Sequence, residues 1–199
     1  RNADVKQLEE YFTLLEEIGA DAVLVSDLGA FRIVRRVAPK LSVHVSTQAN
    51  TTNSEACAMW RELGASRVVL ARELSLQEIS DIHAQNPDLE LEAFVHGAMC
   101  ISYSGRCLLS DYLDGRSSNR GACVQACRYE YEIRARQGKE DKWLSVSEDG
   151  KGTYLLNSKD LNMSEHLEKL AAAGVCSFKI EGRMKSEYYL ATVVNAYRR

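Results

Sequence analysis

The stretch LLEEIGADAVLVSD, residues 14–27, joins the end of a helix to a glycine, a short link and an apolar strand. The same pattern returns in WRELGASRVVLARE at 60–73 and in KLAAAGVCSFKIEG at 169–182. Gly19, Gly64 and Gly174 occupy the position where a helix favours a left-handed C-terminal residue, because glycine adopts a positive φ without steric cost. The strand after each glycine is short and apolar, as buried parallel strands are. The three copies therefore predict repeated helix-to-strand units.

Further strands are predicted at LSVHVSTQ (41–48) and LELEAFVHGA (89–98). Thr52 with Glu55 matches a capping box and predicts the start of the helix that ends near Leu63. Ser75 with Glu78 matches a second capping box and predicts the start of the next helix. Strands that alternate with helices imply right-handed parallel crossovers. No G-x-G-x-x-G follows a strand, which favours a TIM-like βα-barrel over an open doubly wound sheet. We therefore predict an α/β fold in which residues 1–199 form one barrel-like catalytic core.

The alternation breaks after Gly97, and residues 97–160 are predicted to form a Cys-rich loop and a β insertion within that core. YEYEIRAR (129–136), KWLSV (142–146) and GTYLLNS (152–158) are predicted to be extended, with polar turns between them. Regular order returns with a helix after Ser164, a strand in CSFKIEG and a helix from Ser186 to about Tyr197.

Composition limits the function classes. The net charge of −3 excludes a nucleic-acid binder driven by bulk charge, although a local basic face stays compatible with it. The apolar runs are too short to cross a membrane, and no secretory leader is recognisable. We expect a soluble, cytoplasmic protein without a membrane partner. Cysteines in that compartment are reduced and serve more often as metal ligands or catalysts than as cross-links.

Four of the six cysteines lie between residues 100 and 127. Cys100, Cys107, Cys123 and Cys127 have the spacings C-x6-C, C-x15-C and C-x3-C, of which only the last is typical of zinc. Iron–sulfur clusters accept irregular spacings, so a cluster is favoured over zinc. Two alternatives are reduced, partly buried thiols and a disulfide pair. Cys57 is predicted to pack in the core, and Cys176 is either a core residue or a spare ligand.

Polar side chains collect where the predicted strands end, which is where barrel enzymes place their chemistry. They are Asp27, His44, Gln48, Arg72, His96, Asp160, Glu181 and Arg183. Each also has a structural interpretation: Glu181 and Arg183 can form a loop-locking salt bridge, and His96 can be a satisfied histidine near the core. His83 and His166 lie on predicted helices and are expected at the surface.

EAFVHGAMCISYSGRCLLS (92–110), NRGACVQACR (119–128), NSKDL (157–161) and SFKIEGRMKS (177–186) resemble the collagenase-like peptidases of family U32. The resemblance runs through essentially the whole chain and is strongest to the branch of bacterial tRNA hydroxylation proteins. It implies a barrel-like fold, a 4Fe-4S cluster, and 5-hydroxylation of the wobble uridine of tRNA with prephenate as co-substrate. Family members begin before the position of Arg1 and many continue beyond Arg199, which implies an incomplete barrel here.

The resemblance places cluster ligands at Cys107, Cys123 and Cys127, with Cys100 as the best fourth ligand and Cys176 as the alternative. We expect catalytic roles for His96, Glu181 and Arg183. Substrate-binding roles are expected for the following residues: His44, Gln48, Lys159, Lys179 and Lys185. Prephenate is a dicarboxylate, so an arginine or lysine clamp is its expected partner.

Two other functions remain open from the sequence. The family label names a peptidase, yet the chain has neither H-E-x-x-H nor G-x-S-x-G. A Cys–His pair such as Cys100 with His96 is the remaining candidate nucleophile and base. The third interpretation is a binding scaffold in which a metal only staples the long loop.

Overall fold

The computed structural model describes residues 2–100, 102–129, 132–137, 140–145 and 160–199. The helices are α1 (Asn2–Val5), α2 (Leu8–Glu17), α3 (Leu28–Val37), α4 (Ser54–Glu62), α5 (Leu76–Gln85), α6 (Leu109–Asp114), α7 (Leu167–Ala172) and α8 (Glu187–Tyr197). The strands are β1 (Ala22–Val25), β2 (Ser42–Val45), β3 (Arg67–Val69), β4 (Glu90–Gly97), β5 (Glu132–Gln137), β6 (Glu140–Ser145), β7 (Leu161–Asn162) and β8 (Val175–Ile180). Among the described residues, no helix combines the length and apolar character that a membrane span requires.

The chain divides into two compact units. Unit 1 comprises residues 1–96 and 162–181, and unit 2 comprises residues 97–161 and 182–199. The main sheet follows the order β1-β2-β3-β4-β7, with β8 also paired to β4. The pairs β1–β2, β2–β3, β3–β4 and β4–β8 are all parallel. The predicted α/β alternation with parallel strands is therefore confirmed, and within the described residues the sheet is not closed into a barrel.

One face of the sheet in unit 1 is an apolar core. Val43, Val45, Val68, Leu91 and Val95 are completely buried there. They occupy alternate positions along β2, β3 and β4, so they share one face of the sheet. Helices cover this core, and the rings of Phe31 on α3 and Trp60 on α4 pack against each other with centroids 5.4 Å apart. The opposite face carries the polar residues described below.

The helix ends agree closely with the sequence. Gly19, Gly64 and Gly174 have φ values of 74°, 98° and 97°, so the predicted left-handed positions are confirmed. The capping box of Ser75 and Glu78 is also present.

Two local expectations are wrong. Helix α4 is capped by Asn53, whose side chain accepts from the Ala56 amide, and not by Thr52. An asparagine caps at least as well as a threonine, so the chain enters the helix one residue later. His83 and His166 are both half-buried and not surface residues as expected, and the ring of His83 packs directly over Gly174.

Unit 2 contains α6, two short 3-10 helices at Ser118–Arg120 and Ala126–Arg128, the antiparallel hairpin β5–β6, and α8. The hairpin matches the first two segments predicted to be extended, while the third, 152–158, lies outside the described residues. Helix α8 begins as predicted, because the Ser186 side chain accepts from the Tyr189 amide.

Replacing Gly174 by alanine is expected to destabilise unit 1 by about 2–5 kcal/mol, the sum of about 1–2 kcal/mol of left-handed strain and about 1–3 kcal/mol of overpacking. A Cβ at this position would lie 2.1 Å from Cγ of His83. Gly19→Ala is the matched control, since Gly19 also has a positive φ but no atom lies within 4 Å of its added Cβ. Gly19→Ala is expected to lower the free energy of unfolding by only about 1–2 kcal/mol. Urea unfolding of both variants measures the difference, and equal losses would show that the His83 contact is unimportant.

Candidate functional site

The Cys-rich segment of unit 2, residues 97–129, is held in shape by hydrogen bonds of two serine side chains. Oγ of the buried Ser110 donates to the carbonyl of Arg116 over 2.6 Å and accepts from the amide of Val124 over 3.1 Å. Oγ of Ser118 donates to the carbonyl of Cys107 over 2.7 Å. These bonds fold the chain around α6 and bring the backbone near Cys107 and Cys123 to neighbouring elements.

A second closure links the two ends of the segment. Nη2 of Arg128 donates to the carbonyl of Met99 over 3.1 Å, and the same guanidinium lies 3.4 Å from a carboxylate oxygen of Asp160. Arg128 follows Cys127 directly, and Met99 precedes Cys100. The residues beside the first and last of the four cysteines are therefore held together.

One of the thiols has a backbone donor. The amide of Gln125 donates to Sγ of Cys123 over 3.3 Å. Gln125 has a φ of 57°, which is uncommon for a residue other than glycine and places its amide within reach of the preceding thiol. An amide donor stabilises a thiolate, and such bonds to sulfur are among the interactions that tune iron–sulfur ligands.

The four thiols influence one another electrostatically. Burial raises the pKa of Cys127, the Arg128 guanidinium lowers it, and the charges of Cys123, Cys100 and Cys107 raise it further. Four cysteine side chains are a donor set of the kind that soft metal ions and iron–sulfur clusters accept. None of the six cysteines, all of which are described, forms a disulfide.

The thiols are not gathered around a single ion. Among the described residues, no group of three or more His, Cys, Asp or Glu side chains is placed to hold a metal ion. Around one zinc ion the sulfurs must all lie about 2.3 Å from the same centre, whereas in a cluster each cysteine binds a different iron. The four predicted ligands remain a prediction.

Two of the predicted functional residues lie close to this segment within unit 2. Nη1 of Arg183 donates to the carbonyl of Gly121, two residues before Cys123. Gly121 has a φ of 80°, and a Cβ there would lie 2.9 Å from Nη1 of Arg183, so glycine allows the close approach. Nζ of Lys185 lies 3.3 Å from Asp160 and 5.1 Å from the centre of the Tyr189 ring. Lys159 lies outside the described residues.

Unit 1 carries a separate polar cluster on the face of the sheet opposite its apolar core. Glu92 on β4 is only 7% exposed. Its carboxylate accepts from Ser177 at 2.8 Å and from Lys179 at 3.0 Å, both on β8. Nη1 of Arg67, on β3, lies 3.2 Å from the same carboxylate and also pairs with Glu90. We call Arg67, Glu92, Ser177 and Lys179 the Glu92 cluster.

The ionisation of this cluster is set by burial and by its donors. Burial opposes the charge of Glu92, but the bonds and charges of Lys179, Ser177 and Arg67 outweigh it and hold the pKa below its usual range. His44 lies opposite Arg67 in the register of β2 and β3. Burial and the Arg67 charge lower the pKa of His44, against smaller opposing contributions from Glu92 and Glu90. His44 is therefore mainly neutral at pH 7.

The other predicted site residues of unit 1 lie near the carboxyl ends of the strands. The amide of Glu181 donates to the carbonyl of His96 over 2.8 Å, which joins the ends of β8 and β4. Gln48 lies in the 3-10 helix Thr47–Ala49 that follows β2. The guanidinium of Arg72 stacks on the ring of Phe94, with Cζ 3.7 Å from the centroid. These predicted roles remain predictions.

The sequence interpretation missed Arg67, Glu92 and Ser177. A signal for them was present, because LELEAFVHGA alternates polar and apolar residues along β4. Parallel strands buried on both faces read as continuous apolar runs, so alternation indicates that one face is polar. The partners on β3 and β8 depend on strand register, which the sequence does not show.

Comparison with known proteins identifies the family of this chain. The family model described as Peptidase family U32 matches residues 1–199. The chain is 39% identical to tRNA hydroxylation protein P of Escherichia coli over 100% of its own length and 52% of that protein. It is 42% identical to tRNA hydroxylation protein P of Helicobacter pylori, with 99% of the chain and 47% of that protein covered. A 23S rRNA 5-hydroxycytidine synthase of E. coli is 38% identical, with 98% of the chain and 28% of that protein covered. The chain spans about half the length of the tRNA hydroxylation proteins it matches.

Replacing Glu92 by glutamine is expected to lower the free energy of unfolding by about 1.5–3 kcal/mol at pH 7, the range for charged hydrogen bonds. The folded pKa of Glu92 lies below its ordinary value of 4.5. Its contribution is therefore complete above about pH 4.5 and is lost as the pH falls through the folded pKa. The difference between wild type and variant should shrink in acid, as denaturant unfolding across pH 3–7 measures.

Glu90→Gln serves as the control for this prediction, because the Glu90 side chain is 52% exposed and, among the described residues, forms an ion pair only with Arg67. The exposed pair is expected to contribute less than about 1 kcal/mol. A Glu92 variant with a loss that stays constant with pH would contradict the assigned ionisation.

Proposed function

Because this chain belongs to peptidase family U32, we propose that it forms the cysteine-bearing part of an RNA hydroxylase that acts on the wobble uridine of tRNA. The relatives named as tRNA hydroxylation proteins and as a 5-hydroxycytidine synthase support this proposal. Both named activities add a hydroxyl group to RNA. The observation that carries the proposal to this chain is the segment with four cysteines, which bonds of Ser110, Ser118 and Arg128 to backbone carbonyls hold in shape.

The proposed ligands of a 4Fe-4S cluster are Cys107, Cys123 and Cys127, with Cys100 as the fourth. When bound, such a cluster supplies one-electron redox chemistry. The protein contributes the serine and arginine bonds that hold the segment, the Gln125 amide at Cys123, and the positive charge of Arg128 beside Cys127. Cys176 is the weaker candidate for the fourth ligand, because its thiol donates to the carbonyl of Leu91 within the sheet of unit 1.

The wobble base suits an enzyme that must reach the edge of a pyrimidine. Chemistry on a base requires that the base leave its stack, and this costs least where the base is already unpaired. A wobble uridine lies in the unpaired anticodon loop. The hydroxylase therefore does not have to open a duplex.

Prephenate is the proposed co-substrate, and the polar face of unit 1 is its proposed binding region. Converting C5–H to C5–OH removes two electrons from uridine. In the balanced exchange proposed here, the ring hydroxyl oxygen of prephenate moves to C5, and the ring carbon that loses it takes a hydrogen and is reduced by two electrons. A dicarboxylate needs cationic partners. The cations on or beside this face are Lys179 and Arg67, which also pair with Glu92, and Arg72, which stacks on Phe94.

Single replacement of Cys107, Cys123 or Cys127 by alanine is expected to abolish both cluster binding and tRNA hydroxylation, because each removes one ligand. The measurement is anaerobic reconstitution of the full-length protein with iron and sulfide, followed by absorption and EPR spectra and by mass analysis of the tRNA. Cys57→Ala is the control, since burial raises the pKa of Cys57 to about 11 and keeps it a thiol in the core.

Parallel Cys100→Ala and Cys176→Ala variants identify the fourth ligand by the same spectra. Hydroxylation that persists in all three of the first variants would contradict the proposal. Cleavage of casein or gelatin that survives chelators would favour the peptidase named by the family label.

Lys179→Gln is expected to raise the KM for prephenate by roughly tenfold or more, because a charged hydrogen bond of this kind is worth about 1.5–3 kcal/mol. Lys179→Arg should restore most of the affinity, since it keeps the positive charge. Lys169→Gln is the matched control, because Lys169 is an exposed lysine on α7 of the same unit. Steady-state kinetics with varied prephenate gives the KM. An unchanged KM in Lys179→Gln would move the prephenate site away from this face.

A further inference from the structure

The charges of this chain are divided unevenly between its two units. Unit 1 contains eleven Lys and Arg residues and eighteen Asp and Glu residues, a net charge of −7. Unit 2 contains fourteen Lys and Arg residues and ten Asp and Glu residues, a net charge of +4. The overall value of −3 therefore conceals a basic unit, and that unit holds the Cys-rich segment.

The Cys-rich stretch of residues 97–129 is basic through arginine alone. It contains four arginines and two aspartates and has no lysine or glutamate. Arg106 and Arg116 are exposed, and their guanidinium groups form no hydrogen bond or ion pair with another described residue. An uncompensated arginine fork presents donors in the planar arrangement that suits phosphate.

Two tyrosines of the same segment are unusually exposed. Tyr103 is 68% exposed and Tyr112 is 86% exposed. Tyrosine is amphipathic and normally buries much of its ring, so rings left in water are typical of surfaces that receive a partner. An aromatic ring beside arginines provides the stacking platform and phosphate contacts used for unpaired RNA.

The backbone holds these four side chains in one region. Tyr103 and Arg106 share a turn, in which the Arg106 amide donates to the Tyr103 carbonyl over 2.9 Å. Tyr112 lies on α6, and Arg116 follows that helix with its carbonyl bound by Ser110. The bond from Ser118 to the carbonyl of Cys107 joins the two parts, because Cys107 follows Arg106 and Ser118 comes two residues after Arg116.

We propose that Tyr103, Arg106, Tyr112 and Arg116 form a docking surface for an unpaired RNA loop, with bases stacked on the tyrosines and phosphates bound by the arginines. This surface rests on the proposed function and adds to it the part of the chain that receives the RNA. Two of the four residues lie between Cys100 and Cys107 in the sequence, and the other two lie between Cys107 and Cys123. A base held here lies on the same segment as the cysteines.

The chemistry of the surface distinguishes an RNA loop from other anionic partners. Base stacking requires the tyrosines and unpaired bases, whereas an anionic lipid surface or an RNA duplex requires only positive charge. The proposal therefore predicts a preference for a loop over a duplex that disappears with the rings.

The test measures binding of the full-length protein to an RNA stem-loop that carries the unpaired loop of an anticodon arm, by fluorescence anisotropy over a range of salt. Tyr103→Ala and Tyr112→Ala should each weaken binding by roughly 5- to 100-fold, the effect of one lost base stack. Arg106→Gln with Arg116→Gln should reduce the slope of log K against log salt by about 1.4, or about 0.7 for each phosphate contact.

Tyr11→Ala and Arg32→Gln are the matched controls, because both residues are exposed and lie in the acidic unit 1. They should leave the affinity and the salt slope unchanged. Wild-type affinity in the four unit 2 variants would overturn the surface, as would equal affinity for the stem-loop and a blunt duplex of the same stem. Equal binding to phosphatidylserine vesicles, lost with the same variants, would also overturn it.

The assay separates this surface from the proposed function. Loop binding that depends on the four residues in a protein that hydroxylates no RNA would leave the surface standing and remove the hydroxylase. Hydroxylation of tRNA that is unaffected by the four variants would remove the surface and keep the hydroxylase.

Discussion

The carboxylate of Glu92 lies on a sheet face where burial opposes its charge, and Lys179, Ser177 and Arg67 supply the compensation. This interaction constrains β3, β4 and β8 together, because the three donors come from the strands on either side of Glu92. A shift of one residue in either pairing would turn the donors to the apolar face and leave a buried charge without a partner. The Glu92 cluster thus specifies the register of β3, β4 and β8 as well as which face of the sheet is polar. The irregular step between Leu91 and Glu92 in the β4–β8 register is where Ser177 comes opposite Glu92.

The Cys-rich segment follows a different principle, since its shape is held by bonds to backbone groups. Ser110, Ser118 and Arg128 all donate to carbonyl oxygens. None of those bonds uses a thiol, so the segment is organised without relying on cysteine cross-links. The sulfurs are therefore not needed to hold the segment together, which is compatible with the ligand role proposed for them. A metal that only stapled the loop would add little to a segment already closed in this way.

Local signals in the sequence gave most of the secondary structure. Gly19, Gly64 and Gly174 marked helix ends because a positive φ is a local requirement, and the Ser75 cap was readable because both partners lie within one turn. Asn53 was missed because two capping residues stood side by side, and tertiary context chose between them. His83 was misplaced because its contact with Gly174 joins positions far apart in sequence. The candidate site divides in the same way: the cysteines were visible from spacing and resemblance, whereas the Glu92 cluster depends on register between strands.

The uneven division of charge becomes visible only when the composition of the sequence is combined with the division of the structure into two units. Bulk composition argued against a nucleic-acid binder driven by overall charge, and at the level of the whole chain that inference stands. Electrostatic attraction acts over roughly a Debye length, about 8 Å at physiological salt, so an RNA phosphate responds to the local surface and not to the sum over the chain. The positive charge of unit 2 therefore attracts an RNA phosphate near that unit, although the net charge of the whole chain is negative. The basic unit contains the four arginines of residues 97–129, the exposed Tyr103 and Tyr112 and the proposed cluster ligands, so its charge favours RNA contact at the segment that carries those ligands.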